Sequence, residues 1–196
     1  SQEMEGELLG FMEDNDVVGV ILTGPPGTGK TRISRAAGNV GGIPVLQQSF
    51  ANTKDKFVGE STKNLSAVFK TLLAVSDGAI LAMATCNTAT TLRPQLLRRF
   101  GLGIWMVDLP DEDARQNLWT YYLRKYELLD TELPDSTDWS GSEIRRCCDL
   151  AWRLKCSVMR ASKLFVPVSV SNPQTIEECR TIAHGRYNSA AYEGTY

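Results

Sequence analysis

With 196 residues, 42% of them hydrophobic, the chain is long enough for one α/β core and a small appended domain, and its composition is that of a folded globular protein. Lysine and arginine together number 21 against 23 aspartates and glutamates, a net charge of −2 with neither sign gathered in a block, so no electrostatic footprint for nucleic acid or an anionic membrane is visible. The longest apolar stretches, 17–22 and 79–85, are strand-length, far below the ~20 residues that a membrane helix needs; no signal peptide precedes the first strand, and five cysteines without a CxxC pair favour a reducing, cytoplasmic setting.

Residues 3–13 predict a short helix with Leu8, Leu9 and Met12 on one side. The stretch that follows, VVGVILTGPPGTGKT at 17–31, is an apolar run ending in a glycine-rich turn, and Gly24, Gly29, Lys30 and Thr31 satisfy the spacing GxxxxGK[ST]. Small residues let the backbone curl so that successive N–H groups point at phosphate oxygens, and the following helix N-terminus adds its positive end. Lys30 supplies a mobile point charge for the β- and γ-phosphates, and the Thr31 hydroxyl is one ligand to magnesium. A Gly/Pro cluster can be only a loop, but here Val17, Val18, Val20 and Ile21 build a strand before it, and Ile33, Ala36 and Ala37 space a helix after it.

Glycines at 38–42 break the chain, and 43–50 reads as a second strand. A turn around Gly59 leads to a helix from Ser61, with Leu65, Val68, Phe69, Leu72 and Leu73 on one face, which Asp77-Gly78 stops. The third strand, 79–85, is apolar throughout and fits burial on both faces of a parallel sheet; it ends at Cys86-Asn87. Pro94 opens a short helix closing on Arg98-Arg99, and a fourth strand follows at 104–107. Strands alternating with helices imply a parallel sheet.

Beyond Pro110 the pattern turns helical. Asp111, Glu112 and Asp113 load a helix N-terminus, with apolar spacing over 114–129, and Ser140-Gly141-Ser142-Glu143 is a capping box for a helix through Leu154. A brief strand is expected at 165–170, a last helix at 175–183, and a poorly ordered Ser/Ala/Gly-rich tail from Tyr187. Adjacent Cys147 and Cys148 point about 100° apart on a helix and are read as packing residues, and His184 as surface. The division is thus 1–110, a nucleotide-binding α/β domain, and 111–196, a helical lid.

These motifs, in this order, resemble the AAA+ ATPase family over nearly the whole chain, with the overall likeness leaning to compact bacterial or phage members. GPPGTGKT matches the family's Walker A residue for residue, which makes Gly24, Pro25, Pro26, Gly27, Thr28, Gly29, Lys30 and Thr31 the ATP-binding set. KFVGESTKNL resembles the first pore-loop segment, implying a protein substrate gripped by Phe57, Val58 and Gly59. ATCNT puts Asn87 at the sensor-1 position, LRPQLLRRF resembles the arginine-finger segment with Arg98 and Arg99 acting on a neighbouring subunit's γ-phosphate, and WSGSEIRR is similar to the sensor-2 region with Arg145 or Arg146. Taken singly, each also has a plainer reading, Phe57 as a core aromatic, Asn87 as a turn residue, and the arginines as helix-end or surface charges.

The resemblance implies an α/β P-loop NTPase followed by a helical lid, binding ATP and Mg2+ and assembling into a homo-oligomeric ring that remodels or translocates a macromolecule. One family feature is missing: the Walker B strand ending in Asp-Glu has no counterpart, because only Ser76, Asp77 and Gly78 separate the helix from the third strand. Hydrolysis needs one acid for the magnesium shell and another to orient water. Glu60 and Asp77 are the nearest stand-ins, and the alternatives are an ATP-dependent assembly switch with little hydrolysis or a segment absent from the chain. A small-molecule or nucleic-acid kinase fits less well, since no acceptor site is visible.

Overall fold

A computed structural model describes residues 18–41, 45–49, 81–87, 100–129 and 132–196. The elements expected at 3–13, 56–75 and 94–99, and with them Phe57, Val58, Gly59, Glu60, Asp77, Arg98 and Arg99, lie outside the described residues.

By contact density the chain forms two compact units: one of Ser1–Thr23, Lys30–Met106 and Ala183–Tyr196, the other of Gly24–Gly29 and Val107–Ile182. The first contains a five-stranded sheet. Its strands are β1 (Val18–Thr23), β2 (Val45–Ser49), β3 (Leu81–Thr85), β4 (Ile104–Met106) and β5 (Asn188–Ser189), in the order β2-β3-β1-β4-β5, every pair parallel. β1 is central, and the chain leaves its C-terminal end into the glycine-rich loop. Ala82, Met83, Ala84 and Thr85 of β3 are all buried, as the continuous apolar run requires of an interior parallel strand. β2 pairs directly with β3, Ser49 opposite Thr85.

Helix α1 (Lys30–Gly41) follows the loop. Its buried positions are Lys30 and Ser34, while Ile33 is 39% and Val40 91% exposed, so the stripe turned inward is not the Ile33/Ala36/Ala37 face that apolar spacing suggests. The chain's end also departs from expectation. Gly185 N–H donates to Tyr196 C=O, Tyr196 N–H to Tyr187 C=O, and Ala190 N–H to Met106 C=O, pinning the Ser/Ala/Gly-rich tail into the sheet as β5. Burial lifts the Tyr187 phenol above its ordinary pKa, Cys86 adding a smaller push and Arg186 opposing it. Backbone hydrogen bonds alone make this strand, so side-chain pattern gives no sign of it.

The second unit is helical. Helix α2 (Glu112–Lys125) is capped by Asp111, whose carboxylate accepts from Ala114 N–H at 2.8 Å, and carries Glu112 and Asp113 in its first turn and Arg124 and Lys125 in its last, each complementary to the dipole. It ends four residues before Leu129, which is 95% exposed. Helix α3 (Gly141–Leu154) starts where the capping box predicts. Trp119 and Tyr122 of α2 and Ile144, Cys147, Cys148 and Ala151 of α3 pack with Trp139, Val158 and Ala161, so the cysteine pair is core as read. Short helix α4 (Val158–Ala161) and helix α6 (Pro173–Ala183) flank α5 (Val168–Ser171), a helical turn where a strand was expected. Pro167 starts that turn, its carbonyl accepting from Val170 and Ser171. No helix among the described residues is long and apolar enough to cross a membrane.

Glu143 ties this unit together. Its Oε2 accepts from Ser140 N–H and its Oε1 from Val168 N–H, both at 2.6 Å, and the residue is 7% exposed. Glu143→Ala leaves two amides without acceptors, and we expect a loss of about 2–4 kcal/mol in denaturant unfolding, with Glu143→Gln losing less because one acceptor remains.

Candidate functional site

The loop between β1 and α1 is shaped by its own sequence. Thr28 Oγ1 donates to Pro25 C=O at 3.1 Å, closing the turn, and Ser34 Oγ donates to Lys30 C=O at 3.1 Å in the first turn of α1. Gly27 and Gly29 hold φ of +82° and +98°, which side-chain-bearing residues rarely adopt. Nothing lies within 4 Å of where a Cβ on Gly29 would sit, so that side of the loop opens on space. Lys30 is 9% exposed at the helix N-terminus, Thr31 beside it is exposed, and the first turn of α1 holds no acidic residue. An anion-seeking end of backbone N–H groups with a lysine is the arrangement that binds phosphate.

Among the described residues at the C-terminal ends of β1 and β3 are Thr23, Thr85 and Asn87. Thr23 is the last residue of β1, and its Oγ1 donates to Asn87 C=O at 3.2 Å; Cys86 N–H donates to Leu22 C=O at 3.0 Å. Asn87, expected at the tip of a core strand, is therefore held beside the residue that enters the loop. Ser49 and Thr85 end the next two strands out.

Within the helical unit the loop segment Gly24–Gly29 meets the start of α3. Ser142 N–H donates to Gly27 C=O at 3.1 Å, and a Cβ on Gly27 would collide with Ser142 Oγ and lie 2.8 Å from Ser140 Oγ. The loop segment Gly24–Gly29 belongs to the helical unit for this reason. Arg145 is exposed and one helical turn beyond Ser142, whereas the guanidinium of Arg146 lies 5.1 Å from the Phe165 ring centroid. Ser140 and Ser142 read from sequence only as a helix cap; their contact with Gly27, more than a hundred positions away, leaves no local signal.

The family model described as "ATPase family associated with various cellular activities (AAA)" matches residues 20–81, spanning the loop. The probable spastin homolog spas-1 of Caenorhabditis briggsae is 27% identical over 200 aligned residues, covering 76% of this chain and 37% of that protein. These matches support placing the chain with the AAA+ ATPases. The crystal structure of the FIGL-1 AAA domain in complex with ADP superposes with a TM-score of 0.58 at 20% identity, covering 90% of this chain and 84% of that one. A structure titled "Structural Basis for Katanin Self-Assembly" gives 0.55 at 20% identity, covering 85% and 77%. Similar proteins also include the ATP-dependent zinc metalloprotease FtsH of Pirellula staleyi, 26% identical over 56% of this chain and 22% of that protein.

The chain has the α/β P-loop NTPase fold, and its likeness to AAA domains, one of them solved with ADP, supports nucleotide binding. It spans 30% to 43% of the length of the first curated relatives it matches. An alignment of 200 positions that takes up only 76% of a 196-residue chain must include stretches of the relative with no counterpart here. β2 pairs directly with β3, so among the described residues no strand lies between them. The loop's amides and Lys30 fit a nucleotide's phosphates. For magnesium the described strands offer less: β1 to β5 read VGVILT, VLQQS, LAMAT, IWM and NS, without an acidic residue among them.

Proposed function

We propose that this AAA+ chain binds ATP on residues 24–31, with Pro25, Pro26, Gly27 and Thr28 shaping the loop, Gly24 and Gly29 giving it backbone freedom, and Lys30 meeting the phosphates. Magnesium enters with the nucleotide, and Thr31 is its ligand from the loop. The observation that carries the reading is a strand-loop-helix unit whose loop curls through positive-φ glycines into a helix opening on a buried lysine. Asn87 acts as the polar sensor at the strand tip, supported by its bond from Thr23. Arg145, on the Ser142 side of α3, is the lid arginine, and Arg146 packs on Phe165 instead.

Nucleotide state governs assembly into a homo-oligomeric ring in the cytoplasm, with Arg98 or Arg99 offered to the neighbouring copy and Phe57, Val58 and Gly59 to a protein substrate. Support for assembly comes from the fold shared with the structure titled for katanin self-assembly. The absence of an acidic residue from the five described strands favours an ATP-dependent switch with little hydrolysis over brisk turnover. Family membership favours the second reading, an ATPase that remodels or translocates a macromolecule, with Glu60 as the stand-in acid.

We expect light scattering at high protein concentration, with ATP and magnesium, to give a mass several times that of the 21.6 kDa chain. A strictly monomeric mass under those conditions defeats the assembly reading, since an arginine supplied in trans has no role in a monomer.

A further inference from the structure

Resting on the nucleotide site just proposed, we infer that this chain binds ATP with an affinity nearly independent of magnesium. In the parallel sheet the residues that close the strands are Thr23, Ser49, Thr85, Met106 and Ser189. The register fixes the neighbour of β3 as β2, with Ser49 opposite Thr85, and Thr85 is opposite Leu22 one residue before the loop strand ends. Among the described residues, the loop strand and the two strands on that side of it therefore end in hydroxyl-bearing residue types, with no carboxylate in any of the three.

That chemistry decides how much a metal can add. Magnesium is held in nucleotide sites by one or two carboxylates together with substrate phosphates, and it gives up its waters reluctantly. A neutral hydroxyl repays little of that dehydration, so the metal's attraction on the protein is close to its attraction to ATP in water, and it cancels from the affinity. Meanwhile magnesium neutralises phosphate charge that would otherwise be met by Lys30 and the α1 N-terminus. Metal-free ATP presents more charge to these groups and binds as well as the magnesium complex.

Titration calorimetry of the full chain with ATP, in excess magnesium and again in EDTA, tests this. The Kd values are expected to agree within about threefold, or to favour EDTA, at matched ionic strength. Binding weaker in EDTA by about tenfold or more overturns the inference while leaving the nucleotide site standing. If that difference then vanishes in the Glu60→Gln, Asp77→Asn double variant, the carboxylate comes from one of those residues. No binding in either condition overturns the nucleotide site itself, and this inference with it.

Discussion

Replacing Lys30 with alanine should weaken ATP binding by roughly ten- to a hundredfold or abolish it, the equivalent of about 1.5–3 kcal/mol for a lost charge-assisted hydrogen bond. The other groups the loop offers are neutral backbone amides and a helix end, so no second cation within residues 24–31 takes over its part. Lys30 is also 9% exposed, and its removal takes a stem out of a packed environment. A thermal melt separates the two effects, because folding lost along with affinity points to packing, and affinity lost alone points to phosphate. Equal ATP affinity in Lys30→Ala and parent, by titration calorimetry, removes the site from residues 24–31.

The second large effect is expected at Gly27. An alanine there must hold φ near +82° and place its Cβ against Ser142 Oγ, with Ser140 Oγ also 2.8 Å away. The backbone strain alone is worth about 1–3 kcal/mol. Relief of the collision moves either the loop or the first turn of α3, which are joined by the Ser142 N–H to Gly27 C=O bond. Gly27→Ala should therefore lower both the melting temperature and ATP affinity. Adding Ser142→Ala should recover part of the loss, since it removes the colliding oxygen and leaves the strain. A Gly27→Ala protein with parental stability and affinity contradicts the geometry of the loop.

Local chemistry made much of this readable. The run before Gly24 is a buried strand because each of its residues is apolar or small, and the capping box at 140–143 sets the start of α3 through one carboxylate bonding back to the cap. Features made by distant partners were not readable. The tail reads as loose because it is rich in Ser, Ala and Gly, yet its backbone pairs with β4. Val168 and Val170 read as strand because they are β-branched, but Pro167 turns them into a helix. Ile33, Ala36 and Ala37 look like a core face, and Lys30 and Ser34 are the buried positions instead. Nothing near Gly27 in sequence announces Ser142. The spacing before the third strand is too short for an acidic strand, and that stretch lies outside the described residues. Glu60, Asp77, Arg98 and Arg99 lie outside the described residues, so their parts rest on the family likeness and on the variants that test them.

Phosphate release measured alongside ATP binding, on the full chain with saturating ATP and magnesium, bears most directly on the proposal that this chain holds ATP as a switch. Saturable binding with release near the background rate is the predicted result. Brisk release that persists after Glu60→Gln and Asp77→Asn together would contradict it.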